Sequence, residues 1–236
     1  MAPRVQRFAD RQGLIDGVAE LLLHRLIRLQ QVQESASLCL TGGRLANAIY
    51  DRFALIARDS KLKPDQIHLW WSWDYFTPTD DAERNSLQAL SHLAAALAFD
   101  PAKIHPMASS SAMTDPEAGA MAYSADLAAA SIDICLTRLY PGGLIRGCAA
   151  QPAADTPALV VPLLESTPPR LSLTPAGLDR AHQVWLLASG AAVADDLAQL
   201  VSHGPLAQAD SSACAHSLCL VDEAAGAHLP FHSCTL

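Results

Sequence analysis

A chain of 236 residues, half of them apolar and only 17% charged, can bury a full core, and one domain spanning residues 1–236 is expected. Its formal net charge of −8 excludes a broad basic surface, so neither nucleic acid nor anionic membrane is an expected partner. The amino terminus lacks the uninterrupted apolar run of a signal peptide, which makes a cytoplasmic protein the expectation.

Short apolar runs rich in β-branched residues alternate with longer helical patterns, the signature of βα units on a largely parallel sheet. A strand near 4–8 leads to a helix over 10–31 with Asp10 as its cap. Its most apolar part, Val18 to Leu29, is broken by Glu20, His24, Arg25 and Arg28 at helical spacing, so it reads as an amphipathic core helix and not a membrane span. A strand over 37–41 then runs through Thr41, Gly42 and Gly43 into a helix over 44–59. Backbone N–H groups at such a helix start can face an anion, although a glycine pair after a strand also serves as a plain tight turn. Arg44 follows at once, placed either to reach an anion or to plug a cleft.

The strand near 66–71 ends in an aromatic cluster. Trp70 or Trp71 belongs to the core, whereas Trp73 and Tyr75 either fill a pocket or present a surface to a protein partner. A helix over 85–98 follows with Asn85 at its start, then a strand near 104–107 and a helix over 116–130 capped by Asp115 with Pro116 in its first turn. The strand over 132–137 runs into a Pro-Gly-Gly turn, which puts Leu144 at the mouth of the sheet, flanked by Arg138 and Arg146. The stretch 140–156, with three glycines, two prolines and no periodicity, is expected to be the most mobile loop. Strands near 159–164, 183–188 and 217–222 and helices over 174–181 and 191–201 complete the pattern. Arg170 sits at a strand start after a loop at 165–170.

Chemistry-bearing constellations are scarce. The six cysteines, Cys39, Cys135, Cys148, Cys214, Cys219 and Cys234, show neither CxxC nor Cys/His ligand spacing, so buried thiols are expected and neither metal nor cofactor is implied. His68, His105 and His182 lie at strand edges and read as structural, and His216, His228 and His232 belong to the tail. No GxSxG is present.

Several segments in register carry a resemblance over most of the chain. SLCLTGGRLANAIY (37–50), HLWWSWDYFTPTDDAERNS (68–86), IHPMA (104–108), IDICLTRLYPGGLIRGC (132–148), PPRLSLT (168–174) and QVWLLASGAAVADDLA (183–198) resemble segments of the 6-phosphogluconolactonase family. The resemblance implies an α/β fold of the lactonase and glucosamine-6-phosphate isomerase type: a doubly wound, mainly parallel sheet with helices on both faces. It also implies what is missing. The family's general-base histidine falls on Leu144 and the acidic residue before it on Gly142, while two loop glycines fall on Arg138 and Tyr140. The family's G-D-E-R run falls on Ser72, Trp73, Asp74 and Tyr75, so its cation is lost, and a lysine falls on Val193. The loop at 165–170 is shorter than the family's proline-rich loop. Arg170 and Asn85 match.

Leucine cannot accept a proton, and loss of an arginine and a lysine removes the charge-assisted bonds that hold a phosphate. The expectation is therefore a non-catalytic, 6-phosphogluconolactonase-like binding or scaffolding module beside the pentose phosphate pathway. Its ligand would be a sugar phosphate or other small anion, held by Thr41, Gly42, Gly43, Arg44, Arg138, Arg146 and Arg170. The alternative is a lactonase or related sugar-phosphate hydrolase with a rebuilt site.

Overall fold

Strands and helices alternate in the computed structural model, which describes residues 4–149, 158–203 and 217–229. In chain order they are β1 (Arg4–Phe8), α1 (Arg11–Leu29), β2 (Ala36–Leu40), α2 (Arg44–Ala57), β3 (Ile67–Trp71), β4 (Trp73–Tyr75), α3 (Asn85–Leu93) and α4 (Pro116–Ala128). There follow β5 (Ile132–Tyr140), β6 (Leu144–Arg146), β7 (Val160–Leu163), β8 (Arg170–Leu173), α5 (Pro175–Leu178), β9 (Ala181–Ala188), α6 (Ala194–His203) and β10 (Leu218–Asp222). The helix starts follow side-chain chemistry: the Asp10 carboxylate accepts from the Gly13 N–H at 2.8 Å and that of Asp115 from Glu117 at 3.1 Å.

The main sheet runs β1-β10-β9-β5-β2-β3, all parallel, with β6 added antiparallel to β5. From β2 the chain steps outward to β3 and later returns to the other side of β2 as β5. Strand order therefore reverses there, and the carboxyl ends of β2 and β5 bound the crevice where open α/β sheets take their ligands. Both faces of the sheet are covered, as alternate residues of β9 show. Trp185 and Leu187 join the large core built with α1 and α2, whereas Leu186 and Ala188 join a second cluster with Leu197 and Leu200 of α6.

Several sequence expectations change. The strand expected near 159–164 exists as β7, but it belongs to a separate antiparallel sheet, β4-β8-β7. The segment 104–107 forms a single bridge, Ile104 to Leu69, made with the His105 N–H donating to Leu69 O at 2.8 Å, and Pro106 has no N–H to continue a ladder. The third helix stops at Leu93, short of 98. Within the stretch expected to be a mobile loop, Leu144–Arg146 is a strand, and residues 150–157 lie outside the described ones.

Cys39, Cys135 and Cys219 are buried. Cys39 and Cys135 face each other across β2 and β5, and burial pushes the Cys39 thiol well up, away from thiolate reactivity. Cys214, Cys234, His216 and His232 lie outside the described residues. Among the described residues no helix is long and apolar enough to cross a membrane, and no three His, Cys, Asp or Glu side chains stand together to hold a metal.

Candidate functional site

At the crevice the Thr41-Gly42-Gly43 turn joins β2 to α2. Thr41 is not available to a ligand as expected: its N–H donates to the Tyr50 hydroxyl at 2.9 Å, and that hydroxyl donates back to Thr41 O at 2.7 Å. Its Oγ1 accepts from Trp73 Nε1 at 3.2 Å. Gly42 packs so closely against the Asn85 amide that any Cβ there would overlap it. Asn85 in turn donates to Trp73 O at 3.1 Å and ties the turn to β4, while Arg84 and not Asn85 is the cap of α3. Gly43, at φ +102°, caps α2 without any side-chain bond, and the Tyr140 hydroxyl and Arg138 guanidinium lie over it.

Asp74, the carboxylate that persists in the resembled G-D-E-R run, has no exposed surface and is structural. It pairs with Arg84 at 3.1 Å and accepts the backbone N–H groups of Asn85, Ser86 and Tyr75 at 2.6, 3.3 and 2.9 Å. Burial pushes its carboxyl above the usual aspartate range, and the Arg84 guanidinium and these bonds pull it part of the way back. Arg84 also donates to the carbonyls of Met107, Tyr75 and Thr77 at 2.7, 3.1 and 3.2 Å, so one buried fork fastens β4, α3 and the following loop together.

This anchor fixes β4 in the second sheet, where Trp73 stands opposite Ser172 and Tyr75 opposite Arg170. Of the two roles expected for Trp73, a partner surface is ruled out by its 5% exposure; the ring fills the floor of the cleft. Tyr75 is half-buried against the Trp73 edge, with ring centroids 5.4 Å apart, and does not line the cleft among its described walls.

Hairpin β5–β6 sets Arg138 opposite Arg146 and Tyr140 opposite Leu144. Guanidiniums and rings then interleave. Arg138 lies 4.4 Å from the Tyr140 centroid, Arg146 lies 5.5 Å from Tyr140 and 5.2 Å from Trp73, and Arg170 lies 5.9 Å from Trp73. These distances suit cation–π attraction. Arg138 Nε, Arg146 Nε and Nη1 and Arg170 Nε are buried without a hydrogen-bond partner, and none of the three arginines makes an ion pair among the described residues. Buried polar groups are ordinarily satisfied, so this concentration of donors marks the place for an acceptor. The cleft beside them holds about 50 Å³ and is walled by Trp73, Arg146, Arg170, Ser172 and the apolar Leu144, Ile145 and Leu163.

The other expected site residues scatter. Leu144 is 48% exposed at the lip. Gly142 sits at φ +84° on the turn, its N–H donating to Asp196 Oδ2 at 2.9 Å, so among the described residues a carboxylate reaches this turn from α6. Val193 is 3% exposed inside the apolar cluster of Leu139, Leu186 and Leu197 and is not among the described walls of the cleft. Arg44 is exposed at the first turn of α2 and is not part of the cleft wall. No histidine lines it either. His68 Nδ1 and His105 Nε2 lie 3.0 Å apart, with His105 stacked on Trp70, and burial lowers the pKa of both. His182 bonds Ser131, and His228 pairs with Asp195.

Sequence reasoning missed Tyr140, Asp196 and Arg84 as members of the site and its frame. It also missed Asp222, which accepts from Ser189 Oγ at 2.6 Å and from the N–H groups of Gly190 and Ala225 at 3.0 and 2.8 Å and so holds the turn before α6. Only the R-N pair at 84–85 carried a signal, through the resemblance.

A sheet of this order defines a doubly wound α/β domain. Within that class the chain belongs to the glucosamine-6-phosphate isomerase/6-phosphogluconolactonase family, whose sequence pattern matches residues 9–218. It is 30% identical to the 6-phosphogluconolactonase of Streptomyces coelicolor, over 97% of this chain and 95% of that protein. It is 29% identical to that of Mycobacterium leprae, over 98% and 100%. Among solved structures the fold matches 6-phosphogluconolactonase from Trypanosoma cruzi with a TM-score of 0.81 at 17% identity, covering 98% of this chain and 99% of that one. A monomeric glucosamine-6-phosphate deaminase matches with a TM-score of 0.77 at 17% identity, covering 95% and 99%.

Proposed function

We propose that this chain is a non-catalytic member of the family, a binding or scaffolding module whose cleft holds a small anion. The observation that carries the reading is the make-up of the cleft: its described walls contain two arginines and no imidazole or carboxylate, and Leu144 stands where the resembled pattern has its base. Lactone hydrolysis needs a group that takes a proton from water near neutral pH. The arginines supply charge for binding but, being always protonated, cannot serve as that base.

A second reading, a 6-phosphogluconolactonase or related sugar-phosphate hydrolase of the pentose phosphate pathway with a rebuilt site, is favoured by the names of the curated relatives. A stopped-flow or pH-stat assay with fresh 6-phosphogluconolactone separates the two. The expected result is hydrolysis at the spontaneous rate, short of the ~10²–10⁴-fold that a general base contributes. Saturable turnover that survives further purification refutes the non-catalytic reading.

A further inference from the structure

We infer that the cleft takes an oxyanion head carried on a compact apolar body, such as an aryl phosphate, in place of a polyhydroxylated sugar phosphate. This rests on the anion-binding reading above and adds the chemical class of the ligand.

The head is specified by the cations. Arg146 and Arg170 line the cleft, their guanidiniums over Trp73 at 5.2 and 5.9 Å, and Arg138 and Arg146 both lie over Tyr140. Their buried nitrogens lack acceptors. Planar guanidinium forks match the oxygens of a phosphate or carboxylate, and two of them on one small volume favour a group with more than one charged oxygen.

Size limits what else enters. A cleft of about 50 Å³ accommodates roughly four water-sized groups, at about 10–15 Å³ each. That is an oxyanion head, with the remainder of the ligand lying across the lip. The lip and upper walls there are Leu144, Ile145 and Leu163, with Leu144 48% exposed. The cleft's hydroxyl side chain, Ser172, already donates to Leu173 O at 3.0 Å. A chain of sugar hydroxyls laid on this surface would give up water and meet leucine and isoleucine, whereas an apolar body loses nothing there and covers exposed Leu144.

The test is calorimetric titration of the full chain, at one ionic strength, with phenyl phosphate, inorganic phosphate and 6-phosphogluconate. Phenyl phosphate is expected to bind roughly tenfold more tightly than inorganic phosphate, from part-burial of one ring, and 6-phosphogluconate no more tightly than inorganic phosphate. Leu144→Asn, at an exposed position, should weaken phenyl phosphate severalfold and leave inorganic phosphate unchanged. Arg146→Ala should abolish both, and if that variant does not fold, the Leu144→Asn comparison still decides. Equal binding of phenyl and inorganic phosphate, tightest binding of 6-phosphogluconate, or equal weakening of both ligands by Leu144→Asn overturns the apolar-body inference and leaves anion binding in place. No heat with any of the three overturns the anion-binding reading as well.

Discussion

Arg84→Ala is expected to cost about 3–5 kcal/mol, the range for removing one partner of a buried ion pair, which lowers the melting temperature by roughly 6–20 °C in a domain of this size. The loss is large because Arg84, 2% exposed, is the common partner of Asp74 and of carbonyls from Tyr75, Thr77 and Met107. The effect should depend on pH, with a definite sign. Burial already raises the Asp74 carboxyl and Arg84 opposes that rise, so without Arg84 the folded-state pKa moves further up. An acid whose folded pKa lies above its unfolded one contributes stability below the unfolded value and loses it as pH climbs through the folded one. The deficit of the variant should therefore be greatest near neutrality and narrow as pH falls through the raised folded-state pKa of Asp74 towards the unfolded value of about 4. Adding Asp74→Asn should recover part of the loss at neutral pH by removing the stranded charge. Urea denaturation of both variants across that pH range checks the claim; a deficit that does not change with pH would mean that Asp74 is held ionised by its backbone N–H bonds alone.

How this frame could be read from the sequence differs from strand to strand. β2, β3, β5, β9 and β10 are apolar runs bounded by turn residues, and their alternation with helices is legible because each strand buries both faces. β4, β6 and β8 are three or four residues long and of mixed polarity, so no period can declare them, and they pair only once the main sheet has brought them near. The cleft is built mostly from these three, with Leu163 of β7 and residues 147–149. Sequence alone could nominate Arg138, Arg146 and Arg170, but their convergence depends on the β5–β6 hairpin register and on β8 lying beside β4.

Direction was less legible still. Matching residues to a family pattern says which side chain stands at a position and not where it points. Val193 ends a short 3-10 turn that rolls its side chain into the apolar cluster under α6. Gly142 lies on a turn whose positive φ suits glycine and whose carboxylate neighbour, Asp196, comes from 54 residues further on. Aromatic filling and arginine lining coexist in the cleft: Trp73 makes the floor over which Arg146 and Arg170 lie.

These directions decide what happens when the residues of the resembled lactonase pattern are introduced. Leu144→His alone is expected to fold, since position 144 is exposed, and to leave lactone hydrolysis at the spontaneous rate, because the Asp196 carboxylate on this turn is engaged by the Gly142 N–H and an unoriented imidazole lacks both positioning and the right tautomer. Adding Gly142→Asp, Trp73→Asp, Tyr75→Arg and Val193→Lys is expected to cost the fold before it restores chemistry. Trp73→Asp empties a site that is 95% buried by its 5% exposure, removes the bond to Thr41 and strips the ring from beneath two arginines, at about 3–5 kcal/mol for the cavity alone. Val193→Lys puts an ammonium among leucines with no acceptor described nearby, and Gly142→Asp forces a side chain onto a backbone at φ +84°. Together these approach the whole stability of a domain, about 5–15 kcal/mol. Circular dichroism and the lactone assay on the single, the quintuple and the triple variant without Trp73→Asp and Val193→Lys form the measurement. A folded quintuple variant with saturable turnover would show that the backbone still carries the lactonase geometry; turnover from Leu144→His alone would show that sugar-phosphate binding had never been lost. The expected pattern, a silent single variant, a folded and silent triple and an unfolded quintuple, would trace the silence to the packing of Trp73 and Val193 as much as to Leu144, since those two side chains belong to the core that the introduced residues would have to displace.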